Sequence, residues 1–350
     1  MTASIMAANG PLLLAQTHLV FMVSSNFTPA LSLQRRRWLQ AASCATFLAG
    51  WDRTPFSSRE ARAADMTASY GTNDGYIDAH SHIWTRDIDR YPLSGGAVLN
   101  DLDPPSFNTD ELLTLIGGHG VSRVVLIQHH KFYGFDNRYM TDATRLNPER
   151  FRVVGMVNDQ EPNPDTTMRS LLEQGVTGFR ITSWIRGRKW LHGPGMEAIW
   201  RCAAETRQAI CCLMDPPFLP SLDAMCRKHP DTPVVIDHFS RIGVDGAIRS
   251  RDVKQLCRLS RHRNTHVKLS AYYALGKKQP PYLDLLPMIR QLLDAFGPER
   301  LMWASDSPYQ LQDGNSYADS LSLVRDRLDF LSDGDRDWLL RRTANHVYWF

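Results

Sequence analysis

The feature that most constrains this chain is a rhythm that begins after Gly75. Short apolar or β-branched runs alternate with longer amphipathic stretches. The strand candidates are Tyr76–His80, Arg123–Gln128, Arg152–Asn158, Gly178–Thr182, Ala209–Met214, Pro233–His238, His266–Ser270 and Leu301–Asp306. Parallel strands need a crossover of a dozen residues or more, commonly a helix, and the spacing supplies one each time. Thr109 is placed to cap a helix over Asp110–Ile116. Asp165 opens one over Thr166–Gln174, and Ser221 caps Leu222–Lys228. Arg251–Arg261, Tyr282–Phe296 and a pair within Tyr317–Arg342 carry helical spacing. Eight strand–helix units predict a closed parallel sheet, a (β/α)₈ TIM barrel in a single domain over residues 75–350. A Rossmann sheet would need a glycine-rich phosphate loop after an early strand, and none is there.

Residues 1–74 read differently. Gln34-Arg35-Arg36-Arg37-Trp38-Leu39 precedes a modest apolar run and Ala61-Arg62-Ala63, the order of an export signal. The arginine pair is of the twin-arginine type. The expectation is therefore a signal-like or disordered leader, with a periplasmic or exported protein in the first case and a cytoplasmic one in the second. The net charge of +3 comes with no basic stripe, which argues against nucleic acid. No run of about 18 apolar residues predicts a membrane span. The six cysteines form no zinc-ribbon spacing, and Cys211-Cys212 sit in an apolar run as small packing residues.

Catalytic groups of such barrels lie at the C-terminal ends of strands. The first strand ends in Asp78-Ala79-His80-Ser81-His82, where alternation puts both imidazoles on one side. The sixth ends in Asp237-His238 and the eighth in Ser305-Asp306-Ser307-Pro308. Two close imidazoles hold a divalent cation or donate to an oxyanion, and a carboxylate facing them serves as a base. Each motif alone has an ordinary structural explanation; their arrival at three strand ends points to one site. His80, His82, His238 and Asp306 are the catalytic candidates. Arg180, Gln128, Arg241 and Tyr272 are the substrate-binding candidates. Tyr273, Lys268, Ser270, His129, His130 and Tyr309 are further neighbours, and the segment with Trp184, Trp190 and His192 is either a lid or a surface loop. His119, His229, His262 and His266 are expected away from the mouth.

The stretches IDAHSHIW, GVTGFRI, PVVIDH, VKLS and RLMWASDSPY, with the ending TANHVY, resemble the amidohydrolase superfamily, in particular its amidohydrolase-related branch of sugar-lactone and pyrone-dicarboxylate lactonases. The resemblance runs from about Tyr76 to Phe350. It implies hydrolysis of a small lactone or related ester, with Asp306 as base on the attacking water. It also implies one optional divalent ion, zinc or manganese, on His80, His82 and Asp306, with Asp215 or His238 as further ligands. Strand five lacks the histidine of zinc-binding relatives, which weakens the alternative of a metal-dependent decarboxylase. A non-catalytic ligand-binding barrel would need no such convergence. The expected partner is a small carboxylated or sugar lactone, with a homo-oligomer compatible and neither nucleic acid nor membrane involved.

Overall fold

The computed structural model describes residues 75–350. The leader expectations fall on residues 1–74 and lie outside the described residues. Eight parallel strands run in sequence order: β1 Tyr76–Ser81, β2 Val121–Ile127, β3 Phe151–Gly155, β4 Val176–Thr182, β5 Ala209–Leu213, β6 Val234–Ile236, β7 Thr265–Leu269 and β8 Leu301–Trp303. The ring is drawn together between β1 and the residues after β8. Asp306 N–H donates to the His80 carbonyl and His82 N–H to the Ser307 carbonyl, both at 2.8 Å.

A helix follows each of the first seven strands: α1 Thr109–Gly117, α2 Arg138–Leu146, α3 Pro164–Leu172, α4 Pro194–Thr206, α5 Leu219–Lys228, α6 Ser250–Arg258 and α7 Leu286–Phe296. Their boundaries correct several expectations. Asn108, not Thr109, caps α1, accepting from the N–H groups of Asp110 and Glu111. Ser221 lies inside α5 and donates to the Phe218 carbonyl, so it caps nothing. Asp165 is likewise inside α3, which Pro164 opens. The last helical stretch is broken into pieces, Tyr317–Ser322 and Asp333–Asp337 among them, and ends in Thr343–Tyr348. Among the described residues, no helix is long and apolar enough to cross a membrane.

Two apolar layers result. The larger lies between sheet and helices and holds Trp84, Trp190, Trp200 and Trp303. The smaller fills the barrel with Ile77, Ala79, Val125, Ile127, Val154, Ala209, Cys211, Val235, Met302 and Ala304. Val347 and Tyr348 join it, so the terminal helix seals the end opposite the C-terminal ends of the strands. Cys211 and Cys212 are both fully buried, as their apolar setting predicts.

Candidate active site

Straight alternation from Ile77 and Ala79, which fill the barrel, would turn His80 and His82 outward. The β1–β2 register slips between Asp78 and Ser81, where three steps on β1 match two on β2. A bulge of this kind re-aims the side chains beyond it. Asp78 therefore faces the outer layer and both histidines face in. Asp78 accepts from Ser305 N–H (2.8 Å), Ser305 Oγ (2.6 Å), His80 N–H (3.1 Å) and Tyr317 Oη (3.0 Å). Burial pushes its carboxyl up to about 6, against the pull of those donors. Ser305 thus ties β1 to the end of β8 and does not cap a helix. Sequence reasoning assigned Asp78 no role; its signal was its place two residues before the histidine pair.

His80 Nε2 and His82 Nε2 lie 3.3 Å apart, and Asp306 Oδ1 is 3.3 Å from the first and 3.4 Å from the second. Burial drives His80 well below the usual imidazole range and His82 down to about 3, so both rings are neutral. His82 Nδ1–H donates to the Ile127 carbonyl at 2.9 Å, which leaves the Nε2 lone pair facing the triangle. Three acceptor atoms this close need either a proton or a metal ion among them. In a tetrahedral zinc site with bonds of about 2.0–2.1 Å, ligand atoms stand roughly 3.3–3.4 Å apart, so the residues fit a metal with one position open. The His80 tautomer decides which of the two fits. Nδ1–H directed at Asp237 Oδ1 (3.6 Å) leaves Nε2 for a metal. Lys268 Nζ donating to Nδ1 (3.3 Å) puts the proton on Nε2, toward Asp306.

Beneath the triangle, Asp237 is fully buried, 3.1 Å from Lys268 Nζ and 3.5 Å from Arg180 Nε. Burial works to raise its pKa, but Lys268, His80 and Arg180 together hold it well below the usual carboxylate range. His80, Asp237 and His238 could also gather ligand atoms, but Lys268 already supplies a cation between Asp237 and His80. Asp237 was not among the expected site residues, because a strand-end Asp beside a His has an ordinary hydrogen-bonding explanation. Lys268 was only a neighbour, and it lies under the pocket.

His238 reaches the mouth from an unusual turn. His238, Phe239, Ser240 and Arg241 all have φ between 51° and 55°, a left-handed run of four non-glycine residues. Each such residue costs roughly 1–2 kcal/mol, which the buried surroundings must offset. His238 Nδ1 meets Ser270 Oγ at 2.8 Å, and Nε2 lies 3.9 Å from Asp306 Oδ2. Burial lowers this imidazole to about 4, with Asp306 opposing. Asp306 also has a left-handed backbone, φ 65°. Its Oδ2 accepts from Tyr273 Oη at 2.8 Å. The phenol is pushed far above its ordinary value, first by burial and then by that carboxylate.

The cavity above has a volume of about 430 Å³. His82, His129, His130, Arg180, His238, Tyr273, Asp306 and Tyr309 line it, with Gln128, Trp184 and Arg241. Tyr272 does not: it is wholly buried and donates to the Leu269 carbonyl, so Tyr273 takes the place expected of it. One step along a 3-10 turn decides between them. Gln128 spends its amide on the carbonyls of Gly134 and Asp136, leaving Oε1 buried with no donor among the described residues. Arg241 reaches the cavity but is already matched by Asp215 at 2.7 Å and lies 4.3 Å over the Trp184 ring. Asp215 is thereby occupied at the rim and is no ligand of the triangle. Arg180, with its side chain one-tenth exposed, makes no hydrogen bond among the described residues. Trp184 borders the mouth, whereas Trp190 is core. His229 and His262 pair with Glu197 and Asp223 away from the site.

An eight-stranded barrel with two imidazoles and a carboxylate converging at its C-terminal mouth is the plan of a barrel hydrolase. Residues 77–350 match the Amidohydrolase family, and the chain belongs to it. An L-fucono-1,5-lactonase of Burkholderia ambifaria is 28% identical over 237 residues, 66% of this chain and 80% of that protein. A 4-sulfomuconolactone hydrolase of Rhizobium radiobacter is 26% identical over 254 residues, 71% and 80% of the two chains. The crystal structure of a probable 2-pyrone-4,6-dicarboxylic acid hydrolase from Acinetobacter baumannii superposes with a TM-score of 0.67 at 20% identity, covering 79% of this chain and all of that one.

Proposed function

We propose that the chain hydrolyses a small lactone carrying an anionic or strongly polar substituent. The carrying observation is the placement of Asp306, one oxygen in the histidine triangle and the other held by Tyr273, beside the unspent guanidinium of Arg180. Both relatives with lactone-cleaving names support the choice of bond. Arg180 binds the substituent, presenting two parallel donors to a carboxylate or sulfonate. Gln128 Oε1 accepts from a substrate hydroxyl. Asp306 takes a proton from water as its oxygen attacks the ring carbonyl, and returns it to the ring oxygen as that bond breaks. The product is the open hydroxy acid. His238 Nε2 faces this carboxylate across the reacting volume and steadies the charge that develops there. His80, His82 and Asp306 would hold one divalent ion, zinc or manganese, which when bound polarises the carbonyl and lowers the pKa of water.

A panel of sugar lactones and unsaturated carboxylated lactones, with and without added zinc or manganese, tests this by release of acid. Turnover of at least one lactone is expected. Asp306→Asn should lower kcat by about 10³-fold or more while the far-ultraviolet dichroism is unchanged. No turnover on any lactone, or full activity in Asp306→Asn, would overturn the reading.

A further inference from the structure

The end of the barrel opposite the mouth carries a second, cationic cavity of about 540 Å³, lined by Arg123, Trp338, Arg341, Arg342, Asn345 and His346. Arg123 is the first inward-facing residue of β2, below Val125 and Ile127. It is 6% exposed, yet among the described residues no carboxylate lies within ion-pair distance of it. Nη1 donates to Asn345 Oδ1 at 2.6 Å, and Nε is buried with no partner among the described residues. Asp337, the carboxylate described at this cavity's edge, is gripped by Arg341 through two bonds of 2.8 and 3.0 Å. That leaves Arg342 3.9 Å away.

The guanidiniums are held in place by aromatic faces. Arg342 lies 4.0 Å over Trp338. Arg123 and Arg152 lie 4.9 and 5.4 Å from the ring of Trp349. Held donors lose little freedom on binding. A buried guanidinium without a counter-charge, as Arg123 is, is unfavourable, and beside the half-exposed Arg342, only loosely matched by Asp337, it calls for a mobile anion.

We propose that this cavity binds a small phosphate, free or as a monoester, between Arg123 and Arg342, with His346 at its edge. A tetrahedral oxyanion accepts donors from several directions at once, as the two guanidiniums and Asn345 offer them. The site is separate from the catalytic mouth and does not rest on the lactonase reading.

Titration calorimetry on the full chain tests it, with inorganic phosphate and glycerol phosphate against sodium chloride of equal ionic strength. Arg180→Gln serves as background, so that phosphate at the mouth does not contribute. One phosphate per chain is expected. Arg342→Gln, an exposed change, should weaken it about tenfold, and Arg123→Gln should abolish it. Lactone turnover should be unchanged when Arg342→Gln is made alone in the natural chain. Preference for the ester over inorganic phosphate identifies a phosphorylated metabolite, and the reverse identifies the free ion. An absence of heat beyond the chloride control, or an unchanged affinity in Arg342→Gln, overturns the proposal.

Discussion

Replacing Asp237 by Asn removes the counter-charge of the fully buried Lys268 without altering shape. At 3.1 Å and an effective dielectric constant of about 20, the lost attraction is about 5 kcal/mol. Truncating one member of a buried ion pair costs roughly 3–5 kcal/mol in general, so the two routes agree. For a barrel of this size a loss of that order lowers Tm by about 10 °C. Lys268→Met should cost less, because Asp237 keeps Arg180 at 3.5 Å. The double variant Asp237→Asn with Lys268→Met leaves no charge unpaired between these two positions. It should be at least about 2 kcal/mol more stable than the sum of the single losses. Urea unfolding followed by circular dichroism on the four proteins closes the cycle. Losses that simply add, or a loss below about 1 kcal/mol in Asp237→Asn, would refute the view that this pair is the electrostatic base of the site.

Two further outcomes follow from the geometry. Arg180→Gln should raise KM for an anionic lactone by about ten- to a hundredfold, the value of a charged hydrogen bond, and leave a neutral lactone little affected; steady-state kinetics on the two substrates separate them. His266 is buried and its pKa is lowered to about 4, first by burial. The unfolded chain therefore binds a proton below its ordinary value of 6.5 that the folded chain refuses. Stability is full above that value, falls as pH drops toward 4, and levels off below; the contribution of His266 is about 3 kcal/mol. In His266→Leu, urea midpoints measured from pH 7 to 4 should fall less steeply than in the natural chain.

Much of the architecture was legible because the barrel repeats one local pattern eight times. Every expected strand exists, with ends shifted by a few residues, since strand ends depend on neighbours. Helix starts were less legible: Asn108 and Thr109 are both good caps, and only the chain path shows which one is in place. Within the site, His80, His82, His238 and Asp306 were readable as polar residues ending apolar runs, and Arg180 as a cation set in the fourth strand. Asp237 and Lys268 were not, because the charge that makes each tolerable is supplied by a different strand.

The sequence by itself determined the strand count, the order of the polar strand ends and the shared side of His80 and His82. These follow from periodicity along a single segment. Tertiary structure decided which side that is. Alternation alone would have pointed both histidines away from the barrel; the slip against β2 turns them in and sends Asp78 out to Ser305 and Tyr317. It also chose Tyr273 over Tyr272 and committed Arg241 to Asp215 while leaving Arg180 unspent. The physical reason is the same in each case: these outcomes depend on pairing and charge across strands far apart in the chain, which no local pattern records.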